Sequence, residues 1–362
     1  MPIFNRGDLR RGSKTPRYTT GAIRYPERSA YNLFDRDVTT SVLERFTSNS
    51  VSTFGSISGA EKYYSGCLST QGNIYCVPVD ATNVLKIDPS SDTVSTFGVL
   101  SSSTYKWLGS VMSTNGFIYC VPFFATNILK INPFNDTVST FGSTTGGWIG
   151  GVLANNGYIY CVPVSATSIL KIDPFNDTIS TFGSTTNSYR GGVLAPNGFI
   201  YCIPDNATTI LKIDPSTDTV STFGSLSGTN KWEGGVLAPN GFIYGLPSNS
   251  ATVLKIDPST DTISTFGSLS GTLKWTGGVL APNGFIYGIP RDSTAILRIN
   301  PADDTTALVG SISGTSKYAS GVIAPNGVIY GIPRSATTVL KVSTGTYTRI
   351  DQKLLSAYQN KF

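Results

Sequence analysis

The chain has 362 residues, 40% apolar and 14% charged, with Lys and Arg exceeding Asp and Glu by 5 and no histidine. This is the composition of a folded, β-rich globular protein and not of a disordered one. The missing histidine removes the commonest general base and the commonest transition-metal ligand, which excludes Ser-His-Asp and Cys-His chemistry, and neither a metal nor another cofactor is expected.

Residues 1–50 carry nine Lys or Arg against five Asp or Glu and have few apolar groups and no long periodic segment. They read as an extended basic anchoring arm, with Arg6, Arg10, Arg11, Arg17, Tyr18, Arg24 and Tyr25 supplying contacts to other proteins of a large assembly. The five acids among the nine cations argue against nucleic acid as the partner. The start "MPIFNRGDLRRGSK" has no apolar h-region and no stretch is long and apolar enough to span a bilayer, so neither a signal peptide nor membrane insertion is expected.

From residue 51 to 350 one phrase is rewritten seven times. "GGVLAPNGFIYG" stands at 234–245 and again at 277–288, and the turn glycine recurs as Gly72, Gly116, Gly157, Gly198, Gly241, Gly284 and Gly327. The steps of 41 to 44 residues are the length of a four-stranded propeller blade. Within a unit, "GGVLA" and "FIYG" flank an Asn-Gly pair that favours positive φ and a tight hairpin, giving strands A and B, with Asn283 and Gly284 as one example. Strand C, "VLKI", ends at "DPSTDT", where Pro258 stops the strand and Asp and Ser or Thr satisfy turn backbone groups. Strand D, "ISTFG", follows. The spacing therefore predicts an all-β seven-bladed β-propeller over 51–350, preceded by the arm and followed by a tail at 351–362.

Two features of the unit are read as scaffold. Cys76, Cys120, Cys161 and Cys202 share one repeat position with Gly245, Gly288 and Gly331, so that position needs a small side chain and free thiols are expected. Strand C keeps a cation in every copy (Lys86, Lys130, Lys171, Lys212, Lys255, Arg298 and Lys341), expected to lay its stem on the sheet with its head in water. Ring closure has two candidates for the last outer strand, "VSTF" at 51–54 and "TYTRI" at 346–350. The loop at 55–63 matches later D-to-A loops, which favours the N-terminal strand.

"GGVLAPNGFIYGIP" followed by "ILRINP" or "VLKIDP" resembles the propeller repeats of protist, large-DNA-virus and tailed-phage proteins, in the style of the Kelch, NHL and YVTN groups. The resemblance covers 51–350 and implies the propeller fold. It implies little about activity, since propellers host enzymes, adhesins and scaffolds. The Kelch double glycine is matched loosely and its later Tyr and Trp are absent.

In a four-stranded meander the A-to-B and C-to-D turns lie on one face and the B-to-C and D-to-A loops on the other. The first face is nearly identical in every copy, whereas the second varies, which is where recognition is expected. Its departures nominate Tyr64, Phe123, Phe124, Arg190, Asp205, Glu233, Arg291, Asp292 and Arg334 as partner-binding residues. One aromatic precedes the variable strand-A position in every copy (Tyr63, Trp107, Trp148, Tyr189, Trp232, Trp275 and Tyr318), either plugging the seam between blades or stacking a ligand. Occupancy of all seven positions favours the seam.

The expectation is therefore a non-catalytic structural or adhesive propeller, a virion protein of a phage or virus, tethered by its arm and displaying the variable face to host or partner. The alternatives are a free propeller, cytoplasmic or surface-associated, that binds a host-surface glycan or a protein, and an enzyme acting on polysaccharide through Glu233 or Asp292.

Overall fold

The computed structural model describes residues 49–344, residue 187 excepted. The arm with its seven nominated residues, the tail and the competing strand at 346–350 lie outside the described residues. Seven four-stranded antiparallel sheets make up the described part. Strand β1 (Ser50–Phe54) comes first, and blade 1 then runs β2 (Tyr63–Leu68), β3 (Ile74–Pro78), β4 (Val84–Asp88) and β5 (Thr93–Phe97). This A-B-C-D order repeats five times through blades 2 to 6, from β6 (Trp107–Met112) to β25 (Thr305–Val309). Blade 7 supplies β26 (Tyr318–Ile323), β27 (Val328–Pro333) and β28 (Val339–Ser343), and β1 completes it by pairing with β28, Ser50 opposite Ser343 and Phe54 opposite Val339. The N-terminal strand is thus the one that closes the ring, which adds pairing between distant ends of the repeat array.

Burial changes from strand to strand across the four strands of a blade. Strand B is buried end to end, strand C alternates, and strand D is mostly exposed, as an outer edge strand is. Strand A lies innermost and packs on the A strands of both neighbours, so blade 1 contacts blades 2 and 7. The A strands approach backbone to backbone: a Cβ on Gly150 would lie 3.0 Å from Gly191 Cα, and one on Gly191 3.1 Å from Gly234 Cα. A collar of small residues, glycine in five blades and Ser65 and Ser320 in the other two, is what lets seven strands converge on one axis.

The hairpin differs in detail from the expected turn. Gly284 has φ +83° but Asn283 is not in the left-handed region. Gly284 N donates to Ala281 O and Ala281 N to Phe285 O, the pattern of a type I turn followed by a left-handed glycine. Asn283 is there for its side chain: Nδ2 donates to Tyr287 Oη and Thr344 O, and Oδ1 accepts from Phe285 N. The turn asparagine therefore ties its blade to the next one.

Strand C also departs from expectation. Lys130 Nζ stands 4.2 Å from the Phe117 ring centre and reaches Asp177 of the next blade at 2.7 Å, where Tyr119 Oη also donates, at 3.1 Å. The same Lys-Asp-Tyr latch joins Lys171 to Asp218, Lys212 to Asp261 and Lys255 to Asp304. The heads lie in inter-blade ion pairs instead of in free water, because the second Asp of "DPSTDT" is carried into reach by the ring.

All seven seam aromatics are buried, and Trp107 and Trp148 each pack in clusters that join two blades. Their indole N–H groups donate to Asn127 O and Ser168 O. The five cysteines are free, and Cys76, Cys120, Cys161 and Cys202 are fully buried. A Cβ on Gly245 would lie 3.1 Å from Leu254, which is why the position takes only small residues.

Candidate functional site at the axial mouth

Two rings of seven positions surround the axis on the face of the B-to-C and D-to-A loops. The strand-A ring is Tyr64, Leu108, Ile149, Arg190, Glu233, Thr276 and Ala319, and the loop ring is Val79, Phe123, Val164, Asp205, Ser248, Arg291 and Arg334. Blades 1 to 3 contribute only apolar or aromatic residues, and Tyr64, Val79, Leu108, Phe123, Ile149, Val164 and Ala319 form one packed cluster. Blades 4 to 7 contribute all the charges. The mouth is apolar on one side and polar on the other.

The polar side is internally wired. Arg190 Nε lies 3.0 Å from Asp205 Oδ2, an ion pair misaligned for a hydrogen bond, and Arg190 Nη1 lies 3.4 Å from Glu233 Oε1. Tyr64 Oη, from blade 1, donates to Glu233 Oε1 of blade 5. Arg334 lies over the Tyr64 ring, 5.9 Å from its centre, and pairs with Glu61. Burial, and then the Glu233 carboxylate, push the Tyr64 phenol far up, so it is a donor at any physiological pH. Burial works against the Arg190 cation, but Glu233, Tyr64 and Asp205 outweigh it and raise its pKa.

Sequence reasoning thus nominated five residues that meet at one place: Tyr64, Arg190, Asp205, Glu233 and Arg334. Their accessibility differs from the expectation of display. Asp205 and Glu233 are 2% and 6% exposed and Tyr64 is 9% exposed, whereas the Arg190 side chain keeps 26%. The carboxylates turn inward because a guanidinium and a phenol stand within reach across the axis, so the network closes the mouth and presents arginine outward.

The other nominees separate. Asp292 is a loop cap: its Oδ1 accepts from Ser316 N at 2.6 Å, as Asp80 does from Tyr105 N and Asn249 from Leu273 N. The carboxylate compensates a residue held at positive φ, and Asp292 is therefore committed to its loop. Arg291 stands on the loop ring with its Nε buried and without a hydrogen-bond partner, and it meets no carboxylate among the described residues.

Phe123 and Phe124 stack, ring centres 4.4 Å apart, with Tyr105 at 6.2 Å from Phe124. Phe124 is 65% exposed and Tyr105 36%. Sequence reasoning did not nominate Tyr105; its signal was an aromatic at the loop position held by Glu61, Asn230, Leu273 and Ser316 in other copies. It also missed a coupled change. Lys231 and Lys274 each staple a joint by donating to three backbone carbonyls, but the matching residue after Phe123 is Gly147, where a Cβ would meet Ser165 Oγ at 2.2 Å and the Phe123 ring at 3.1 Å. The joint after the aromatic pair therefore has no lysine staple, and neither does the next one, where Ser188 holds the position.

Among the described residues no cluster of His, Cys, Asp or Glu could hold a metal ion, and no helix is long and apolar enough to cross a membrane.

A family model described as a repeat of unknown function (DUF6923) matches residues 150–280. No curated protein sequence matches the chain. Solved propellers do. A streptogramin B lyase aligns with a TM-score of 0.72 at 14% identity over 82% of this chain and 97% of its own. Kuenenia stuttgartiensis hydrazine synthase aligns at 0.64 and 13% identity over 81% and 98%, and the WD40 propeller domain of Doa1 at 0.65 and 12% over 82% and 98%. At these identities the likeness establishes the fold. It also corrects the expectation that the chain is not an enzyme: two of these propellers are named as enzymes, so the architecture does not exclude catalysis.

Proposed function

We propose that this chain is a recognition propeller that engages a partner with its variable face around the axial mouth. The observation that carries this reading is the Tyr105-Phe123-Phe124 cluster. Two phenyl rings are stacked in a loop with one of them largely in solvent, beside a joint that has Gly147 where five other joints have a lysine. Stability alone gives no reason to expose Phe124 there, because the burial that stabilises a phenyl ring is forgone. Flat aromatic faces suit the C–H face of a sugar, and the arginines on the other side of the mouth suit an acidic substituent, so a host-surface glycan is the partner this face fits.

The finer reading, a virion protein held in its particle by residues 1–50, is supported by the resemblance of the repeats to phage and large-virus propellers and by the basic arm. A glycan array tests the first part. Wild type is expected to bind acidic glycans, Phe124→Ala and Arg291→Ala to lose at least tenfold in affinity, and Phe134→Ala, exposed on the opposite face, to bind as wild type. Equal loss in all three variants, or no binding by wild type, overturns the glycan reading. Deleting residues 1–45 tests the second part: the propeller should fold and fail to incorporate, and unchanged incorporation rules the anchor out.

A catalytic reading is favoured by one observation, the buried phenol-carboxylate pair Tyr64-Glu233 at the axis of a fold that carries lyases. It predicts turnover of a bound glycan that Glu233→Gln abolishes.

A further inference from the structure

Six of the seven inter-blade joints carry the lysine-aspartate latch, and the seventh does not. Lys86 reaches Asp136 and Lys341 reaches Asp92, as in the four latches described above. Blade 6 has Arg298 in the same place, its Cζ 4.7 Å from the Phe285 ring centre, where Lys255 and Lys212 stand over Phe242 and Phe199. Blade 7, however, takes its outer strand from β1, so the residue before that strand is Asn49 and not Asp. Tyr287 Oη donates weakly to Asn49 Oδ1, at 3.4 Å, and Arg298 forms no ion pair or hydrogen bond among the described residues.

We infer that Arg298 is the anchor of a small-oxyanion site at the ring-closure seam, taking a carboxylate or phosphate where the other joints have an aspartate. Three features fit. Arginine replaces lysine at this joint alone, and its planar fork matches two oxygens of an oxyanion, which a lysine point charge does not. Arg298 lines a cavity of about 250 Å³ together with Phe285, Asn300, Asp303 and Thr305, which offers room for a small anion. The acid on its wall, Asp303, is occupied locally: its Oδ1 accepts from Thr305 N at 3.1 Å and from Thr305 Oγ1 at 2.7 Å. The site lies on the side of the conserved turns, away from the axial mouth, and is independent of what that face recognises.

The test is thermal unfolding of the full chain with inorganic phosphate or acetate against chloride at equal ionic strength. An anion bound only by the folded ring raises Tm, and about 1–3 °C is expected at saturation for a protein of this size. The shift should vanish in Arg298→Ala and shrink in Arg298→Lys. Asn49→Asp supplies the missing carboxylate, so it should raise Tm without added anion and abolish the response. Phosphate acting where acetate does not assigns the site to phosphate, and the reverse to carboxylates. No shift in wild type, the same shift in Arg298→Ala, or an Asn49→Asp variant that responds as wild type overturns the inference.

Discussion

Tyr64 and Glu233 belong to blades that are not neighbours and lie 169 residues apart, yet the phenol of one donates to the carboxylate of the other across the axis. With Arg190 and Asp205 they form a buried charged network whose members depend on each other. Removing Arg190 leaves two carboxylates in a poorly solvated place. Arg190→Met should therefore destabilise by about 3 kcal/mol in urea unfolding, less than a fully buried pair would lose because the guanidinium is partly solvated. Arg334→Met, whose partner Glu61 can turn to water, should cost clearly less.

Two glycines with the same backbone conformation should differ in their tolerance of a methyl group. Gly191 and Gly198 have φ of +85° and +86°, but a Cβ at Gly191 meets Gly234 Cα at 3.1 Å whereas one at Gly198 meets nothing within 4 Å. Gly198→Ala should cost only the left-handed backbone term, about 1 kcal/mol, and Gly191→Ala at least about 2 kcal/mol, because the neighbouring A strand must shift. Equal midpoints for the two variants would show that the collar has slack.

The lysine staples set a pH dependence. Burial lowers Lys274 from its ordinary value to about 8, whereas the unfolded chain titrates near 10.5. Between these values the unfolded state binds more protons, so stability should rise with pH through this window. Lys274→Met removes the term, and the Tm of wild type relative to this variant should increase from pH 7.5 to 10. A relative decrease would mean that the carbonyls of Ser248, Ser250 and Gly271, each 2.9 Å from Nζ, hold the ammonium form more firmly than burial opposes it.

A single latch should be worth little, since its groups are partly in water. Asp177→Asn keeps the turn and removes the charge that Lys130 meets, for a loss of about 1 kcal/mol that shrinks in high salt.

The thiols should be silent in the folded protein. Burial pushes Cys67 to about 12 and raises the four interior cysteines as well, so almost no thiolate is present at neutral pH. A thiol reagent at pH 8 should label the native chain only at the rate of unfolding and all five positions in denaturant. Fast labelling of a single equivalent would point to Cys67, the one that is not fully buried.

The sequence alone determined the number of blades, the order of strands within each, the small-residue position shared by cysteine and glycine, and the face on which the copies differ. These are consequences of period, turn chemistry and side-chain size, which act over a few residues and repeat. It also suggested that the first strand, Ser50–Phe54, closes the last blade, because the loop after it has the wording of the other D-to-A loops. Only the tertiary structure decided what each polar residue is for. Asp177 reads as a turn residue and Asp292 as a recognition residue, but one latches a lysine of the preceding blade and the other caps a loop. Glu233 reads as a displayed acid and is buried, because Tyr64 and Arg190 converge on it from elsewhere in the ring. Closing seven units on one axis brings together residues hundreds of positions apart, and a local pattern carries no record of such a meeting.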